Sequence, residues 1–251
     1  MRLKNKVAIV TGGGAGIGEA IAMRFAQEGA GVVIAEVDPA RGQSTVGAIR
    51  RLGGEAVFVQ TDVSSETQVK GMIDTTLQRF GRIDILVNNA AVLMSYETRA
   101  HELSNEEWDR TINVNLRGYW LCSKYAIPSM MSQGTGTILF VASRTGIRGF
   151  AGLAAYSASK GGALALMRSM AADYAPDGIR INAIIPGTMD TPMNAKEFSD
   201  PAARNKYIPK IPARRLGVAT DIAGMATFLS TDEASFCVGG LYFVDGGADL
   251  G

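Results

Sequence analysis

Short runs of β-branched and aliphatic residues alternate along the chain with longer stretches in which apolar positions recur every three or four residues. Short apolar runs bounded by turn residues mark buried strands, and the 3.6-residue period marks amphipathic helices. On that basis "KVAIV" predicts a first strand and "GEAIAMRFAQEG" a helix. "GVVIAE" follows as strand, "PARGQSTVGAIRRLG" as helix, "EAVFVQ" as strand, "SETQVKGMIDTTLQRFG" as helix and "RIDILVN" as the fourth strand. One long helix is expected over "SNEEWDRTINVNLRGYWLCSKYAIPSMMSQG", kinked by Pro128 near its C-terminal end. The last two of these helices open on Ser-x-x-Gln/Glu capping boxes, Ser65 with Gln68 and Ser104 with Glu107. The remainder alternates again: strand "GTILFVA", helix 154–175, strand "IRINAII", helix "TDIAGMATFLS" and a final strand "GLYFVD".

Seven such strands separated by helices specify an α/β fold whose parallel sheet is covered by helices on both faces. No linker, repeat or low-complexity tract divides the chain, so residues 1–251 are expected to form a single domain. One long irregular stretch interrupts the alternation, Pro186 to Gly217, with Pro192, Pro201, Pro209, Pro212 and a short helical patch. Long loops in compact domains are usually lids or binding loops, so 186–217 is expected to be a substrate lid.

Composition narrows the function classes. Lys and Arg number 25 against 24 Asp and Glu, which gives no electrostatic case for nucleic acid or an anionic membrane. No apolar run approaches the roughly 18 residues a bilayer-spanning helix needs. The four-residue apolar run after the basic start "MRLKNK" is too short for a signal-peptide core and suits a first strand. Two cysteines, Cys122 and Cys237, rule out a disulfide framework, and with a single histidine, His101, they speak against a Cys/His zinc site. A Ser-His-Asp hydrolase would have to use His101, which sits in a polar stretch expected at the surface. A reduced, cytoplasmic setting fits this composition.

The chemistry-bearing motifs fall where strands end. "TGGGAGIGEA" follows the first strand and opens the first helix, with Gly12, Gly16, Ile17 and Gly18 in the pattern T-G-x-x-x-G-x-G. Glycines there let the backbone approach a pyrophosphate, and the exposed N–H groups of the helix start bind the anion. Glu36 closes the second strand about 20 residues on, where a dinucleotide fold puts its ribose-binding carboxylate. Asp62, with Val63 in "TDV", ends the third strand and can accept from an adenine amino group; capping the next helix is an equally good use of it. Asn88 and Asn89, with Ala90 and Ala91, end the fourth strand as either a ligand contact or a turn. In open α/β sheets such C-terminal strand edges bind ligands. Further on, Tyr156 and Lys160 stand one helical turn apart in "YSASK".

With these motifs, and with "NVNLRG", "VAS", "PGTMDT" and the terminal "VDGG", the chain resembles the short-chain dehydrogenase/reductase family over essentially its whole length. The resemblance is to compact members with a single Rossmann-type doubly wound domain. Ala91 departs from the family's usual Asn-Asn-Ala-Gly by one methyl, which would crowd the nicotinamide side. The resemblance implies that Tyr156 is the acid/base, Lys160 lowers its pKa and holds the nicotinamide ribose, Ser143 orients the substrate oxygen and Asn115 holds a relay water. It further implies that Pro186, Gly187, Met189 and Thr191 grip the carboxamide, that Asn89 and Ala90 line the cofactor, and that the protein is a homotetramer.

Independent physics supports the pair. Moving a tyrosine from about pH 10 to about 7 takes roughly 4 kcal/mol at 1.36 per unit. A neighbouring cation shifts a pKa by about 1–3 units, so Lys160 alone is marginal, and the positive charge of oxidised nicotinamide completes the shift.

The resulting expectation is an NAD(H)-dependent oxidoreductase interconverting a secondary alcohol and a ketone. A 3-oxoacyl thioester reductase is the alternative within the class, although its usual NADPH suits Glu36 poorly. A non-catalytic dinucleotide-binding regulator and a sugar-nucleotide epimerase are further alternatives. The regulator needs no acid/base, and the epimerase brings a longer C-terminal domain. Arg41, the basic residue nearest the ribose site, is expected to pair with Glu36. The basic lid residues Lys196, Arg204, Lys206, Lys210, Arg214 and Arg215 are expected to be solvated, as are Arg144 and Arg148, with an anionic substrate as the rival use. Gly161 and Gly162 inside a helix imply close packing of another helix, in the family often across a subunit interface.

Overall fold

The computed structural model describes residues 1–96 and 98–250, and the statements below concern those residues. Strands β1 (Val7–Thr11), β2 (Gly31–Glu36), β3 (Glu55–Gln60), β4 (Ile85–Asn88), β5 (Gly136–Val141), β6 (Ile179–Pro186) and β9 (Leu241–Val244) form one sheet in the order β3-β2-β1-β4-β5-β6-β9. Every neighbouring pair is parallel. Residues alternate between the faces of a strand, and β1 shows the consequence. Ala8 and Val10 pack with Phe25 of α1 (Gly16–Gln27), Ile49 of α2 (Pro39–Arg51) and Leu229 of α9 (Ala219–Leu229). Ile9 faces the other way, into the cluster that holds Met72 of α3 (Glu66–Phe80), Ile127 of α5 (Gly118–Gln133) and Met167 of α6 (Ala154–Tyr174). The all-apolar run of β1 is thus explained by burial on both sides, as a sheet with helices on both faces requires.

The order of the strands reverses between β1 and β4. Chains leaving those two neighbours turn to opposite faces and open a crevice at the C-terminal edge of the sheet, the place where such folds bind ligands. The loops after β1, β4 and β5 all arrive there.

The long helix departs from its uninterrupted expectation. It is α4 (Asn105–Ile112), then a π-helical turn over Asn113–Arg117, then α5, with the Gly118 N–H reaching back to Asn113 O. Single π turns inside α-helices are frequent at functional sites. The two capping boxes are each half formed. Ser65 Oγ accepts from Gln68 N at 3.5 Å and Ser104 Oγ from Glu107 N at 3.1 Å. The reciprocal halves are diverted: Gln68 Oε1 takes Asp62 N at 2.8 Å, and Glu107 Oε2 takes the Ser104 hydroxyl at 3.3 Å.

The expected lid carries its own structure. β7 (Met189–Asp190) pairs in parallel with β8 (Gly217–Val218), which ties the two ends of the segment together. Between them lie α7 (Ala195–Phe198) and α8 (Pro201–Tyr207), and Phe198, Ile211 and Leu216 form a small separate core.

Candidate active site

Backbone builds the first part of the site. Gly12 and Gly16 have φ of +62° and +55°, a region open to glycine at little cost. Added methyls also lack room: a Cβ on Gly12 would lie 2.9 Å from Ala90 Cα, and one on Gly18 only 2.1 Å from Gly12 O. The loop after β1 therefore rests directly on the loop after β4. Thr11 locks the two together, its hydroxyl donating to Val87 O at 3.1 Å and accepting from Asn89 N at 2.9 Å and Ala90 N at 3.1 Å. Asn89 answers through Nδ2, donating to Thr11 O at 2.9 Å and Gly12 O at 3.2 Å. Asn88 turns the other way, to Ser123 Oγ at 3.0 Å. Helix α1 opens beside them with Ala15 as its cap residue and no side chain accepting from its first N–H groups. Such a bare N-terminus attracts an anion.

Glu36 is 9% exposed and is fixed by backbone. Its Oε2 accepts from Gly14 N at 3.1 Å, and its Oε1 from Val37 N at 2.9 Å and Asp38 N at 3.2 Å. Arg41 does not pair with it. The Arg41 guanidinium lies 3.3 Å from Asp38, three residues earlier, because Glu36 already directs both oxygens at N–H groups. Asp62 Oδ1 accepts from Ser64 N at 2.9 Å and Ser64 Oγ at 2.6 Å, a turn that precedes α3, whose cap is Ser65 rather than Asp62. Val63 is buried against Gly118.

The second part is built from side chains. Ser143 follows β5 and lies close enough to Tyr156, in the first turn of α6, to act on its phenol, while Ser143 Oγ accepts from Thr145 N at 3.2 Å. Asn115, in the π turn, takes Val92 N on Oδ1 at 2.8 Å and donates from Nδ2 to Val92 O at 2.9 Å and Ser159 Oγ at 3.2 Å. Ser159 in turn donates to Tyr156 O at 2.7 Å. The Asn115 amide thus clamps the loop after β4 to the helix that carries Tyr156. Lys160 is 1% exposed, and its Nζ donates to Val141 O at 2.9 Å and to Tyr119 Oη at 3.0 Å. Its charge does not reach Tyr156 as a hydrogen bond; Nζ lies 5.7 Å from that ring's centre.

Electrostatics follows from this burial. Burial pushes the Tyr156 phenol above its ordinary value, with the nearby Tyr96 adding to the rise and the Ser143 hydrogen bond opposing it. Burial pushes Lys160 down to about 7. The one-turn spacing alone therefore does not lower the tyrosine. Desolvation governs it, because a charged form is disfavoured in a poorly solvated place.

The mouth of the site is bridged by distant segments. Tyr96 Oη, on the loop after β4, donates to Asn194 Oδ1 in segment 186–217 at 2.8 Å, and Asn194 Nδ2 donates to Met189 O at 2.9 Å. Arg144 is half-buried and engaged within the protein: it donates to Ala248 O at 3.1 Å and to Thr188 Oγ1 at 3.2 Å. Arg148 pairs with Asp249 at 2.8 Å. Both arginines tie the C-terminal segment to the loop after Ser143. Within segment 186–217, Arg204 pairs with Asp190 at 2.8 Å, Arg215 with Asp221 of α9 at 2.6 Å, and Arg214 donates to Pro209 O at 3.0 Å. Lys206 and Lys210 are exposed as expected, and the side chain of Lys196 lies outside the described residues.

Among the segment expected to grip a carboxamide, Gly187 N donates to Val244 O at 3.0 Å and Thr191 stands over Gly16. Pro186 ends β6, and the Met189 side chain is buried in the core beside Gly217, so it offers a ligand only its backbone. Gly162 is explained within the chain, since a Cβ there would lie 2.8 Å from Leu116 of the π turn. Sequence reasoning assigned no role to Thr11, Tyr96, Asn194 or Tyr119. Thr11 carried a signal, being the first residue of the glycine motif; the other three come to the site only through the fold. His101 is exposed, as expected. Among the described residues no group of three or more His, Cys, Asp or Glu could hold a metal ion, and no helix is long and apolar enough to cross a membrane.

Residues 12–249 match the enoyl-(acyl carrier protein) reductase family pattern. The chain is 39% identical to glucose 1-dehydrogenase 2 of Bacillus subtilis, covering 99% of this chain and 96% of that one. It is 40% identical to 3β-hydroxysteroid dehydrogenase 1 of Eggerthella lenta, covering 99% and 95%. A crystal structure of a candidate NAD(P)-dependent gluconate 5-dehydrogenase from Beutenbergia cavernae, with NADP bound at low occupancy, superposes with a TM-score of 0.93 at 32% identity, covering 99% of this chain and 98% of that one.

Proposed function

The chain belongs to the short-chain dehydrogenase/reductase family, oxidoreductases that bind a nicotinamide dinucleotide, and from that premise we propose that it interconverts a secondary alcohol and a ketone with NAD(H), using Tyr156 as acid/base. The observation that carries the reading is convergence. Ser143, Tyr156 and Lys160 meet at the sheet edge that also holds a glycine loop and an uncapped helix start. The glycine positions fit a dinucleotide-binding loop, since a Cβ on Gly12 would press on Ala90 and one on Gly18 on Gly12 O, displacing the backbone that leads into the open helix start.

The N–H groups of Gly16, Ile17 and Gly18 would hold the pyrophosphate. Glu36 would receive the ribose hydroxyls, Asp62 and Val63 would flank the adenine, and Asn89 and Ala90 would line the cofactor. Pro186, Gly187, Met189 and Thr191 would hold the carboxamide, Met189 through backbone. The nicotinamide ring, when bound, supplies the hydride acceptor for oxidation and the donor for reduction. Ser143 Oγ orients the substrate oxygen beside Tyr156 Oη. With its pKa raised, Tyr156 is a neutral phenol poised to give its proton to a carbonyl oxygen. Taking a proton from an alcohol asks for positive charge close by, which Lys160 and the oxidised ring supply. Asn115 keeps α6 in place and is the candidate for a relay water.

NAD is favoured over NADP because Glu36 is fixed at the ribose position by three backbone N–H groups, so a phosphate of about −2 charge would meet an immobile carboxylate. Arg41 is held by Asp38 and does not offset it. The same preference weighs against the 3-oxoacyl thioester reading. Segment 186–217 serves as the lid. Exposed Phe236, Phe243 and Leu250 near β9 suit burial against further copies of the chain, in a homotetramer that light scattering would detect.

The deciding experiment screens cyclic, aromatic and acyl alcohols for NADH production, with Tyr156→Phe as control. Turnover that needs Tyr156 supports the reading; NADH binding without turnover on any alcohol or ketone would leave a dinucleotide-binding regulator.

A further inference from the structure

Beneath the lysine lies a second tyrosine that the chemistry above does not use. Tyr119 comes from the first turn of α5, directly after the π turn, and is 1% exposed. Its ring meets Phe140 edge-on at 5.4 Å. Its hydroxyl donates to Val141 O at 3.0 Å and accepts from Lys160 Nζ at 3.0 Å, while Nζ also donates to Val141 O at 2.9 Å. Nζ is 4.9 Å from the centre of the Tyr119 ring, closer than to that of Tyr156. An ammonium has three N–H donors. Two are taken inside the protein, which leaves one for the cofactor side. Phenylalanine would fill the same space without a buried hydroxyl to satisfy, so packing alone gives no reason for the oxygen.

We infer that Tyr119 is a positioning residue that fixes both the place and the charge of Lys160 through its phenol oxygen. The inference rests on the reading of Lys160 as the ribose-holding, charge-supplying residue. An acceptor on an ammonium favours the charged form, and burial opposes it. Among the described residues no carboxylate forms an ion pair with Lys160, and desolvation is what moves it. The groups that face it are Tyr119 on α5, Val141 O on β5 and the Tyr156 ring on α6; Cys122 acts on Tyr119, and Ser143 and Tyr96 act on Tyr156. Burial raises Tyr119 and Tyr156 and pushes the Cys122 thiol up to about 12, so all three are neutral near pH 7. The Tyr119 oxygen and the Val141 carbonyl are then the dipoles that hold the charge.

The test compares Tyr119→Phe with the native protein in two titrations: NADH affinity by fluorescence, and kcat/KM for alcohol oxidation, each across pH. The ring, the Phe140 contact and the Lys160 donor to Val141 O all remain, so the variant should fold, with thermal melting as the check. Losing the acceptor lowers the pKa of Lys160. The pH above which NADH binding weakens should then fall by about one unit, as expected for one charge-assisted hydrogen bond. With less positive charge beside it, Tyr156 ionises later, and the acid limb of oxidation should rise by about one unit. Tyr119→Met, lacking the ring as well, should reproduce both shifts if the hydroxyl is responsible. The two curves moving in opposite directions is the signature, because a loss of packing lowers both without displacing either. Curves that keep their pH positions, or that move together, overturn the role of Tyr119. Failure of the native protein to bind NADH at any pH overturns the reading beneath it, and the inference with it.

Discussion

The cradle after β1 and the mouth around the lid are held by opposite means. The cradle is built on backbone: Gly12 rests on Ala90, Gly18 on Gly12, and the Glu36 carboxylate on three backbone N–H groups. Its parts sit on strand ends within a buried sheet, whose opening requires much of the domain to unfold. The mouth is made of side chains from far apart. Tyr96 reaches Asn194 over 98 residues, Arg148 reaches Asp249 over 101 and Arg144 reaches Ala248 over 104. Its bonds are few and partly exposed, so it can change with little effect on the sheet. A cofactor common to a family belongs in the first kind of structure, and a substrate that differs between members in the second.

The largest expected effect lies where the two regions meet. Tyr156→Phe should lower turnover about 10²–10⁴-fold, the usual contribution of a general acid/base. NADH affinity should stay near native, because the cradle is untouched. Half the native rate in that variant would remove Tyr156 from the chemistry. Gly18→Ala attacks the cradle itself. A methyl 2.1 Å from Gly12 O forces the loop to move, and overpacking of about 1–3 kcal/mol corresponds to roughly ten- to hundredfold weaker NADH binding. Unchanged binding by fluorescence titration would show that the loop yields without disturbing the ligand.

Glu36→Ala should erase discrimination of at least about tenfold in kcat/KM between NAD and NADP, the value of one charged hydrogen bond. A native ratio near one would show that Glu36 does not read the ribose. The smallest effect belongs to the mouth. Arg144→Ala should raise KM only about threefold, on the order of 0.6 kcal/mol for its partly exposed hydrogen bonds to Ala248 O and Thr188 Oγ1, and by the same factor for charged and neutral substrates. A loss confined to anionic substrates would return Arg144 to the pocket.

The same contrast governs what can be read from the sequence. "GVVIAE" coincides with β2, because a strand buried on both faces leaves an unbroken apolar run, and "EAVFVQ" coincides with the half-buried edge strand β3 through its β-branched and aromatic residues. Gly12, Gly18 and Glu36 are legible because their spacing is local and their partners are backbone groups of nearby residues. The π turn was not legible, since it depends on what Asn115 meets on Val92 and Ser159 rather than on propensity. Arg144 and Arg148 read as solvated charge because their partners lie at the far end of the chain. The one-turn spacing of Tyr156 and Lys160 gave their proximity but not their titration, which burial sets. Tyr119 offered no signal at all until β5 and α6 brought Val141 and Lys160 to it.

The π turn at Asn113–Arg117 can also be viewed as arithmetic on the chain. Closing i to i+5 instead of i to i+4 absorbs one extra residue in a single turn. The flanking helices keep the phase they would have in an unbroken helix one residue shorter. Deleting one residue there would leave Trp108 and Met130 on their present faces, yet tighten the only turn that carries Asn115. The surplus residue is confined to the place where the helix faces Val92 and Ser159, so it leaves the register of the rest of the core undisturbed.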